Sequence, residues 1–466
     1  MRYKRTEIQA GDISGQLEIC AEIRLMIGEM QLAVVDTYGC QQNEADSEEL
    51  SGYLDAMGYG ITTDKQMADI IVMNTCAVRE HAEMRVFGNI GALNHTKKEK
   101  PSQIIVVCGC MAAEGRVAEK IKKSYGIVDL VFAPSELWRF PEMLRTVMKE
   151  KKRLFNTGSG DGSVVEGIPR LRTDGAKAWL SVMYGCNNFC SYCIVPYTRF
   201  RERSRLPENI IAEAEDLVSK GYKDITLLGQ NVNSYGADLD NAISFAQLIR
   251  KINDIEGDFI IRFMTSHPKD ATEELFAAMR DCEKCEKHLH LPLQSGSDRI
   301  LKAMNRHYDS AKYLALVDLL RSYVPDIVLT TDIIVGFPGE TDEDFEGTMR
   351  VIEQVRFDAM FTFIYSKRPG TPAAELPDVF TREEKQKRFD RMISVQNTIS
   401  EEKHSRYIGK TERVLLDGND REGGVLTGRT SGGRLVRVQV GEEHIGRFEN
   451  VEITDSNTWA LRGKIV

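Results

Sequence analysis

The sequence predicts an α/β protein in which a doubly wound parallel sheet precedes a central (β/α) barrel and a small antiparallel β-barrel. Three observations support this order. From Gln31 onward, short apolar runs alternate with helical segments, as in parallel sheets. A longer series of such units follows the Gly- and Ser-rich tract FNTGSGDGSVVEGIPR. Beyond a charged helix near residues 382–403, short Gly-rich strands are typical of a small barrel.

A chain of 466 residues is too long for one ordinary domain. The pattern divides it into consecutive segments. They are a variable polar extension at 1–30, a sheet domain at 31–150, a linker at 151–171, a barrel core at 172–402 and a C-terminal β-barrel domain at 403–466.

The first domain repeats one design. QLAVVDTYGC, IIVMNTC and QIIVVCGC each predict a buried strand that ends at a cysteine, whereas IVDLVFAPSEL predicts a strand without one. Between the first two, SEELSGYLDAMGYG predicts a helix that is closed by glycine.

The barrel core predicts successive buried strands whose C-terminal loops would carry the chemistry of a full or partial (β/α) barrel. These strands are DITLLGQN, FIIRFMTSHP, HLHLPLQSGS, VLTTDIIVGFPGE and AMFTFIYSKRPG. Thr341 and Asp344 in GETDEDF predict a capped helix start. The last domain predicts short strands in RVLLDG, GVLTGRT, RLVRVQV and VEITD.

Composition excludes several classes of protein. No apolar run approaches the ~18 residues of a membrane span, and the N-terminus lacks the apolar core of a signal peptide. Ten cysteines without an export signal favour metal or redox chemistry in a reducing cytoplasm. A net charge of −9 gives no general attraction to nucleic acid, so any RNA site must be a local patch.

The stretch GCNNFCSYC places Cys186, Cys190 and Cys193 in a C-x3-C-x2-C array. Three thiolates at this spacing can hold three irons of a [4Fe–4S] cluster and leave the fourth iron open to a substrate. A structural zinc site would need four protein ligands, and no fourth Cys or His follows in IVPYTRF. The spacing, with Tyr192 before the last cysteine, resembles the radical S-adenosylmethionine (SAM) enzymes.

A second set of cysteines, Cys40, Cys76 and Cys110, follows three predicted strands of the first domain. In an open parallel sheet, the loops beyond the carboxyl ends of the strands line one crevice, so these thiols can converge. They could carry a second [4Fe–4S] cluster with an open iron. Three separately buried structural cysteines remain an alternative.

Further motifs occur in a fixed order: TYGCQQNEADSE, NTCAVREHAE, GCMA, GCNNFCSYCIVPYTR-x-RERSR, LLGQNVNSYG, RFMTSHP, HLPLQSGSDRIL, TDIIVGFPGET and YSKRPGTPAA. This series, from about Gln31 to the C-terminus, resembles the methylthiotransferases, and closely the branch that modifies isopentenylated adenosine in tRNA. The resemblance implies that Cys40, Cys76 and Cys110 ligate an auxiliary [4Fe–4S] cluster. It implies that Cys186, Cys190 and Cys193 ligate a SAM-bound one. It also implies a C-terminal TRAM domain that binds RNA.

The family's reaction replaces a hydrogen on C2 of N6-isopentenyladenosine, next to the anticodon, with a methylthio group. That hydrogen is not acidic, so side-chain acid–base chemistry is inadequate and a cofactor must supply the hard step. The resemblance implies two SAM molecules, one for the radical and one for the methyl group. The implied partners are tRNA and an electron donor such as flavodoxin or ferredoxin.

Several polar residues in the strand-end loops are candidates for contacts with SAM or the base, beside Tyr192 near the adenine. They are Gln230, Asn231, Ser266, Gln294, Ser295 and Asp332. Four arginines, Arg199, Arg201, Arg203 and Arg205, recur at every second position of TRFRERSR and would share one face if extended. Their guanidinium groups suit RNA phosphates, with a solvated loop or internal ion pairs as the alternative.

Two departures from the family pattern concern the arginine loop and the first cysteine loop. Phe200 stands where glycine is usual, and Gln42 stands where methionine is common. Because Phe does not freely adopt positive φ, either the loop does not need that conformation or its geometry is altered.

The remaining candidates have ordinary alternatives. We expect Cys108 to be a buried strand residue, and Cys282 and Cys285 to be packed, with a surface zinc or redox role as the alternative. His267 could face the barrel mouth or serve as a structural histidine.

Other functions remain open from the sequence. One is modification of threonylcarbamoyl-adenosine in tRNA, and another is modification of an aspartate of a ribosomal protein. From a different class, the chain could be a non-catalytic iron–sulfur RNA-binding or carrier protein.

Overall fold

The computed structural model describes residues 8, 10–77, 80–158, 162–173, 175–240, 243–378, 380–420 and 423–466. The chain forms two compact units. The first comprises Met1–Thr173, Met183–Asn187 and Cys193–Arg205. The second comprises Asp174–Val182, Asn188–Tyr192 and Leu206–Val466.

The first unit is built on a six-stranded parallel sheet with the order β2-β1-β3-β4-β5-β6. Its strands are β1 (Gln31–Tyr38), β2 (Tyr59–Ile61), β3 (Ile70–Thr75), β4 (Ile104–Gly109), β5 (Leu130–Phe132) and β6 (Leu154–Asn156). The doubly wound sheet expected from the alternating pattern is confirmed.

Helices cover both faces of this sheet. They are α1 (Ala10–Ile27), α2 (Gln41–Ala56), α3 (Glu80–Glu99), α4 (Gly115–Ser124) and α5 (Phe140–Glu150). Because successive strand side chains point to opposite faces, Val72 packs with the core under α1, α2 and α5, and Ile71 packs under α3 and α4. Both faces of each strand are therefore apolar, which explains why each strand is a continuous apolar run in the sequence.

The predicted N-terminal extension contains helix α1, which the sequence analysis did not anticipate. Residues 1–7 and 9 of that segment lie outside the described residues. Ile13, Gln16, Cys20 and Ile23 are buried and recur at helical spacing. The apolar residues of α1 are spread around the helix, with Leu17 and Leu25 exposed, so its periodicity was a weak signal. Cys20 and Ile23 nevertheless join the core that contains α2 and α5.

The predicted linker at 151–171 is largely packed against the first unit, apart from residues 159–161, which are outside the described part. Strand β6 pairs with β5 within it. Arg170 Nη2 donates to Glu49 Oε1 at 2.8 Å, and the Leu171 amide donates to the Glu48 carbonyl at 3.0 Å. The segment is therefore held along α2 rather than acting as a flexible tether.

The second unit contains six parallel strands that form a partial (β/α) barrel. They are β7 (Lys177–Ser181), β10 (Asp224–Leu228), β11 (Ile260–Phe263), β12 (His288–His290), β13 (Val328–Val335) and β14 (Ala359–Ile364). Two three-stranded sheets, β11-β10-β7 and β12-β13-β14, are linked by a parallel bridge between Ile261 and Cys285. All five strand segments predicted for the barrel are present.

The connecting helices are α7 (Pro207–Ser219), α8 (Phe245–Asn253), α9 (Glu273–Asp281), α10 (Asp298–Ala303), α11 (Ser310–Tyr323), α12 (Asp342–Val355) and α13 (Arg382–Ser405). Helix α12 begins as predicted, because Thr341 Oγ1 accepts from the Asp344 amide while the Asp344 carboxylate accepts from the Thr341 amide. Helix α13 matches the charged helix expected near 382–403.

The C-terminal strands close into a barrel with the order β15-β16-β17-β19-β18. They are β15 (Thr411–Asn419), β16 (Leu426–Thr430), β17 (Leu435–Val438), β18 (Phe448–Ser456) and β19 (Leu461–Ile465). The barrel is antiparallel as expected, except that β17 and β19 pair in parallel. A closed ring with an odd number of strands requires at least one parallel pair.

This small barrel packs on the amino ends of the (β/α) strands through buried charges. Arg434 forms an ion pair with Asp358, which precedes β14, and both are almost fully buried. Arg262 of β11 donates to Glu286 and to the Thr430 carbonyl. The small barrel is therefore anchored away from the carboxyl ends, where (β/α) folds place their chemistry.

Among the described residues, none of the helices is both long and apolar enough to cross a membrane.

Candidate functional site

The three cysteines of the N-terminal domain lie at one edge of its sheet. Cys40 follows β1, Cys76 follows β3 and Cys110 follows β4, and these three strands are neighbours in the sheet. Parallel strands bring their carboxyl ends to the same edge. The strand order therefore places the three thiols side by side, although 33 or more residues separate them along the chain.

A network of small polar groups fixes these loops. Asn43, in the first turn of α2, accepts from the Cys40 amide at 3.4 Å and donates to Asn74 Oδ1 at 3.0 Å. Gly109, directly before Cys110, has φ +92°, and a Cβ there would lie 2.3 Å from the Thr75 carbonyl oxygen. Only glycine fits this close approach, so the residue before Cys110 is dictated by packing.

The three thiols interact electrostatically. Burial raises the pKa of the Cys110 thiol to about 11, the Arg199 guanidinium opposes this rise, and the neighbouring Cys76 and Cys40 add to it. Such mutual effects require proximity. They favour convergence of the three thiols over three unrelated buried cysteines.

This donor set suits an iron–sulfur cluster better than a single ion. No three His, Cys, Asp or Glu side chains in the described part of the chain are grouped closely enough to hold one metal ion. A [4Fe–4S] cluster does not need that, because each thiolate binds a different iron. All ten cysteines are free thiols, so each of the three is available as a ligand.

Arg199 lies against this cysteine set rather than on the surface. Its side chain is 6% exposed, Nε donates to Cys110 Sγ at 3.2 Å, and Nη2 donates to Asp46 Oδ2 at 2.6 Å. The sequence analysis missed Asp46, because nothing local marks it as the partner of an arginine so far along the chain.

Two more of the predicted phosphate-binding arginines are also buried. Arg205 Nη2 donates to Glu166 Oε2 at 2.6 Å. Arg203 Nη1 donates to the carbonyl oxygens of Arg199 at 3.2 Å and Arg201 at 2.6 Å. Burial and these internal hydrogen bonds favour the alternative of internal pairing for Arg199, Arg203 and Arg205. RNA contacts of the arginine loop stay a prediction. Arg201 alone among the four is exposed.

Phe200 keeps the left-handed conformation that glycine usually supplies in this loop, with φ +63°. The loop therefore needs positive φ, and the aromatic residue accepts it at some cost in strain. Its ring lines a cleft of the first unit together with Trp138, Tyr184 and Arg203. Gln42, the other departure, donates to Asp46 Oδ1 at 3.1 Å and so supports the partner of Arg199.

The cysteines of the C-x3-C-x2-C loop have distinct surroundings. Cys186 is buried, and its amide donates to the Phe200 carbonyl at 3.0 Å. Gly185 before it has φ +78°, and a Cβ there would lie 2.0 Å from the Arg201 carbonyl oxygen. Cys193 is partly exposed and lies shortly before the short helix α6 (Val195–Thr198).

Cys190 belongs to the second unit, where backbone hydrogen bonds fix its segment. The Ser191 amide donates to the Met304 carbonyl at 3.0 Å, and Asn305 Nδ2 donates to the Phe189 carbonyl at 2.9 Å. Arg306 Nη1 donates to Cys190 Sγ at 3.3 Å. Arg306 was not singled out from the sequence, because its motif, NRHYD, carries no local sign of a cysteine partner.

The polar candidates of the barrel lie as expected in or after its strands. Asn231 follows β10, Ser266 follows β11, Gln294 follows β12, and Asp332 lies within β13. Several are engaged internally. Asn231 Nδ2 donates to Asp270 at 2.7 Å, and Ser266 Oγ donates to the His290 carbonyl.

The other candidates of this group differ in exposure. Gln230 is partly exposed in the loop after β10, and Ser295 is fully buried beside Thr348. Tyr192 packs against an apolar cluster that contains Met304 and Phe337. Contacts of these residues with SAM or the base stay a prediction.

His267 is buried after β11, and burial lowers its pKa to about 2. Its Nδ1 accepts from the Lys269 amide at 3.2 Å, so the ring proton of the neutral imidazole is on Nε2. Among the described residues, Nε2 has no hydrogen-bond partner. The side chain cannot act as an imidazolium acid at neutral pH.

The remaining cysteines are packed, as expected. Cys108 lies within β4 and is 1% exposed. Cys282 and Cys285 are each 2% exposed, and burial raises the pKa of both thiols. Among the described residues, no third His, Cys, Asp or Glu completes a metal site with them, which disfavours the zinc alternative.

Comparison with protein families divides the chain in the same order as the fold. Residues 33–133 match the uncharacterized protein family UPF0004, residues 180–352 match the Radical SAM superfamily, and residues 405–466 match the TRAM domain. The cysteine sets lie within the first two matches.

Relatives match nearly the whole chain. A tRNA-2-methylthio-N(6)-dimethylallyladenosine synthase from Acetivibrio thermocellus is 50% identical over 443 residues, which cover 94% of this chain and 92% of the relative. A protein of the same name from Thermoanaerobacter sp. (strain X514) is 51% identical over 433 residues, covering 93% and 92%. The chain belongs to this synthase family. The resemblance inferred from its motifs is confirmed, and this synthase-family member is a radical SAM enzyme with [4Fe–4S] and SAM as cofactors.

A solved structure shares the fold of the synthase-family chain. It is the radical S-adenosylmethionine methyltransferase TsrM from Kitasatospora setae, with cobalamin and a [4Fe-4S] cluster bound. The TM-score is 0.55 at 14% identity, and the match covers 74% of this chain and 77% of that chain. At this identity the likeness shows the fold alone.

Proposed function

We propose that the protein adds a methylthio group to C2 of N6-isopentenyladenosine beside the anticodon of tRNA. The observation that carries this proposal is the pairing of two cysteine triads in one chain. One is the converging set of Cys40, Cys76 and Cys110, and the other is the C-x3-C-x2-C loop. An enzyme that only generates a radical needs one open-iron cluster, whereas attachment of sulfur calls for a second.

The proposed ligands fit their groups by chemistry. Cys40, Cys76 and Cys110 would hold the auxiliary cluster, and Cys186, Cys190 and Cys193 the SAM-bound cluster. Bound there, the clusters and SAM would supply the radical, methyl and sulfur chemistry that no side chain of this protein can perform. The role of the protein would be to hold the thiolates in place, to position SAM and the base, and to exclude water from the site.

The proposed function also assigns a role to each segment of the chain. We assign the auxiliary-cluster domain to residues 31–150, the radical SAM core to 172–402 and the RNA-binding domain to 403–466. The family matches at 33–133, 180–352 and 405–466 support these assignments. Residues 1–30 and 151–171 would then be structural additions to the first domain.

The free thiols of the enzyme favour a particular cellular compartment. Ten free cysteines, several of them proposed cluster ligands, require a reducing compartment, so the protein acts in the cytoplasm. Each round of SAM cleavage consumes an electron, which a low-potential carrier such as flavodoxin or ferredoxin would supply.

The substrate assignment is tested with purified, reconstituted enzyme and three substrates. We expect methylthiolation of isopentenylated tRNA and none of the same tRNA before isopentenylation, measured by mass spectrometry of the digested nucleosides. Action on threonylcarbamoyl-adenosine tRNA or on a ribosomal protein, with none on isopentenylated tRNA, would overturn the assignment. Absence of 5′-deoxyadenosine under every condition would favour a carrier protein instead.

RNA contacts are proposed at two places. Arg201 is the exposed member of the arginine loop. In the C-terminal barrel, Trp459 is 72% exposed at the turn between β18 and β19. Arg462 and Lys464 are exposed on β19, with Lys464 paired to Glu452 at 3.0 Å. An exposed aromatic ring and exposed cations on one hairpin suit stacking on bases together with phosphate contacts. The small C-terminal barrel packs at the amino ends of the (β/α) strands, whereas the chemistry is proposed at their carboxyl ends. It would therefore bind a part of the RNA that is distant from the target base.

Arg201→Ala should weaken tRNA binding and reduce the slope of log Kd against log salt by about one, because one phosphate contact is lost. Binding is measured by fluorescence anisotropy at several salt concentrations. Lys123→Ala, an exposed cation on α4, should change neither quantity. Arg203→Ala, which removes buried support for the loop backbone, should alter affinity without altering the slope. An unchanged slope for Arg201→Ala would contradict the phosphate contact.

A further inference from the structure

Arg306 is a buried cation that has no acidic partner among the described residues. Its side chain is 8% exposed. Besides Cys190 Sγ, its guanidinium donates to neutral oxygens, to the Tyr308 hydroxyl from Nε at 2.9 Å and to the Pro292 carbonyl from Nη2 at 2.9 Å. Within the described part of the chain, no carboxylate forms an ion pair with it. The largest electrostatic contributions to its pKa come from Tyr308, Tyr192 and Cys190.

A buried charge without a counter-charge is strongly destabilising. Arg199 illustrates the ordinary solution, since its hydrogen bond to Cys110 is accompanied by an ion pair with Asp46. Arg306 lacks such a carboxylate. The missing negative charge must come from elsewhere, and the group that it touches is the sulfur of a proposed cluster ligand. A [4Fe–4S] cluster with three thiolates carries net negative charge, so it would neutralise Arg306.

The geometry points to a specific role, which rests on the proposed ligand assignment: Arg306 raises the reduction potential of the cluster held by Cys186, Cys190 and Cys193. Hydrogen bonds to the sulfurs and the net charge around a cluster are the main protein controls on its potential. A fixed positive charge stabilises the reduced cluster, which carries one more electron, over the oxidised one. Reduction moves one electron from the external donor to the cluster, and Arg306 neither gives nor takes a proton.

The position of Arg306 is itself well fixed. The Tyr308 hydroxyl accepts from Arg306 Nε, and its single proton is donated to the Leu293 carbonyl at 2.8 Å, with the Pro292 carbonyl as a second acceptor at 3.0 Å. The guanidinium therefore has three directed hydrogen bonds and little freedom to move away from Cys190. Arg306 is a positioning residue, since it acts through the cysteine and not on the reacting atoms.

The test uses the full chain with Cys40, Cys76 and Cys110 replaced by Ala, so that only the barrel cluster titrates. Its midpoint potential is measured anaerobically with dithionite and redox dyes by the EPR signal of the reduced cluster. Arg306→Gln should shift the midpoint to lower potential while iron content is retained. Arg280→Gln, which removes an exposed cation of the same unit, should leave it unchanged.

Arg306→Lys keeps the charge but cannot keep all three hydrogen bonds, so its midpoint should fall by less than that of Arg306→Gln. If the Gln variant fails to load iron, Arg306→Met, which removes the charge but keeps an unbranched side chain, takes its place in the same titration. An unchanged or higher midpoint in the loaded neutral variant would overturn the proposal, as would a Lys midpoint below that of the neutral variant. Failure of the parent itself to bind iron would instead refute the ligand assignment of the proposed function.

Discussion

Replacing Cys186, Cys190 and Cys193 with Ala should abolish SAM cleavage. The open iron that would bind SAM exists only while these three thiolates hold the other three irons. Iron bound by the reconstituted protein should fall from about eight atoms to about four, since the N-terminal cluster remains. 5′-Deoxyadenosine is measured by chromatography after reduction with dithionite in the presence of SAM.

The matched control for this loss is Cys282→Ala with Cys285→Ala. These cysteines are buried in the second unit, which also contains Cys190, but are not proposed ligands. Iron content and SAM cleavage should be retained there, provided that the variant folds, which circular dichroism checks. Loss of all iron in the barrel-triad variant would show that the six ligands have been grouped wrongly.

Replacing Cys40, Cys76 and Cys110 with Ala should separate the two halves of the reaction. The protein should still cleave SAM, because the barrel cluster is intact, but should attach no methylthio group to isopentenylated tRNA. Iron should again fall to about four atoms. Both products are quantified in the same reaction, 5′-deoxyadenosine by chromatography and the modified nucleoside by mass spectrometry.

Cys108→Ala provides the control for this second result. Cys108 lies in β4, two residues before Cys110, but is buried in the strand. Its replacement should leave methylthiolation in place. Methylthiolation that survives without the N-terminal triad would refute the auxiliary role of these cysteines.

Much of the fold could be predicted from local motifs and from the periodic pattern of apolar residues in the sequence. Strands β10 to β14 were predicted because apolar runs of strand length end in polar loops, and burial on both faces requires such runs. The capped start of α12 was predicted because Thr341 and Asp344 satisfy each other across one turn. Helix α1 was missed because its apolar residues, among them the exposed Leu17 and Leu25, do not follow one face of the helix.

The candidate site was accessible to the same reasoning where the fold follows simple rules. Three strands that each end in a cysteine imply three thiols at one edge, because parallel strands share an edge for their carboxyl ends. The C-x3-C-x2-C loop could be predicted as a cluster site from the spacing of its cysteines alone. The sequence by itself thus determined the family and the order of the domains. The ligand roles of the six cysteines stay a proposal.

The roles of the arginines were decided only by the tertiary structure. A guanidinium binds a phosphate, a carboxylate or a cysteine sulfur by the same donors, so sequence spacing cannot tell these partners apart. Arg199 meets Asp46 and Cys110, and Arg306 meets Cys190, each across more than eighty residues of chain. Such pairings depend on which loops the folded core brings together, and no local pattern records them.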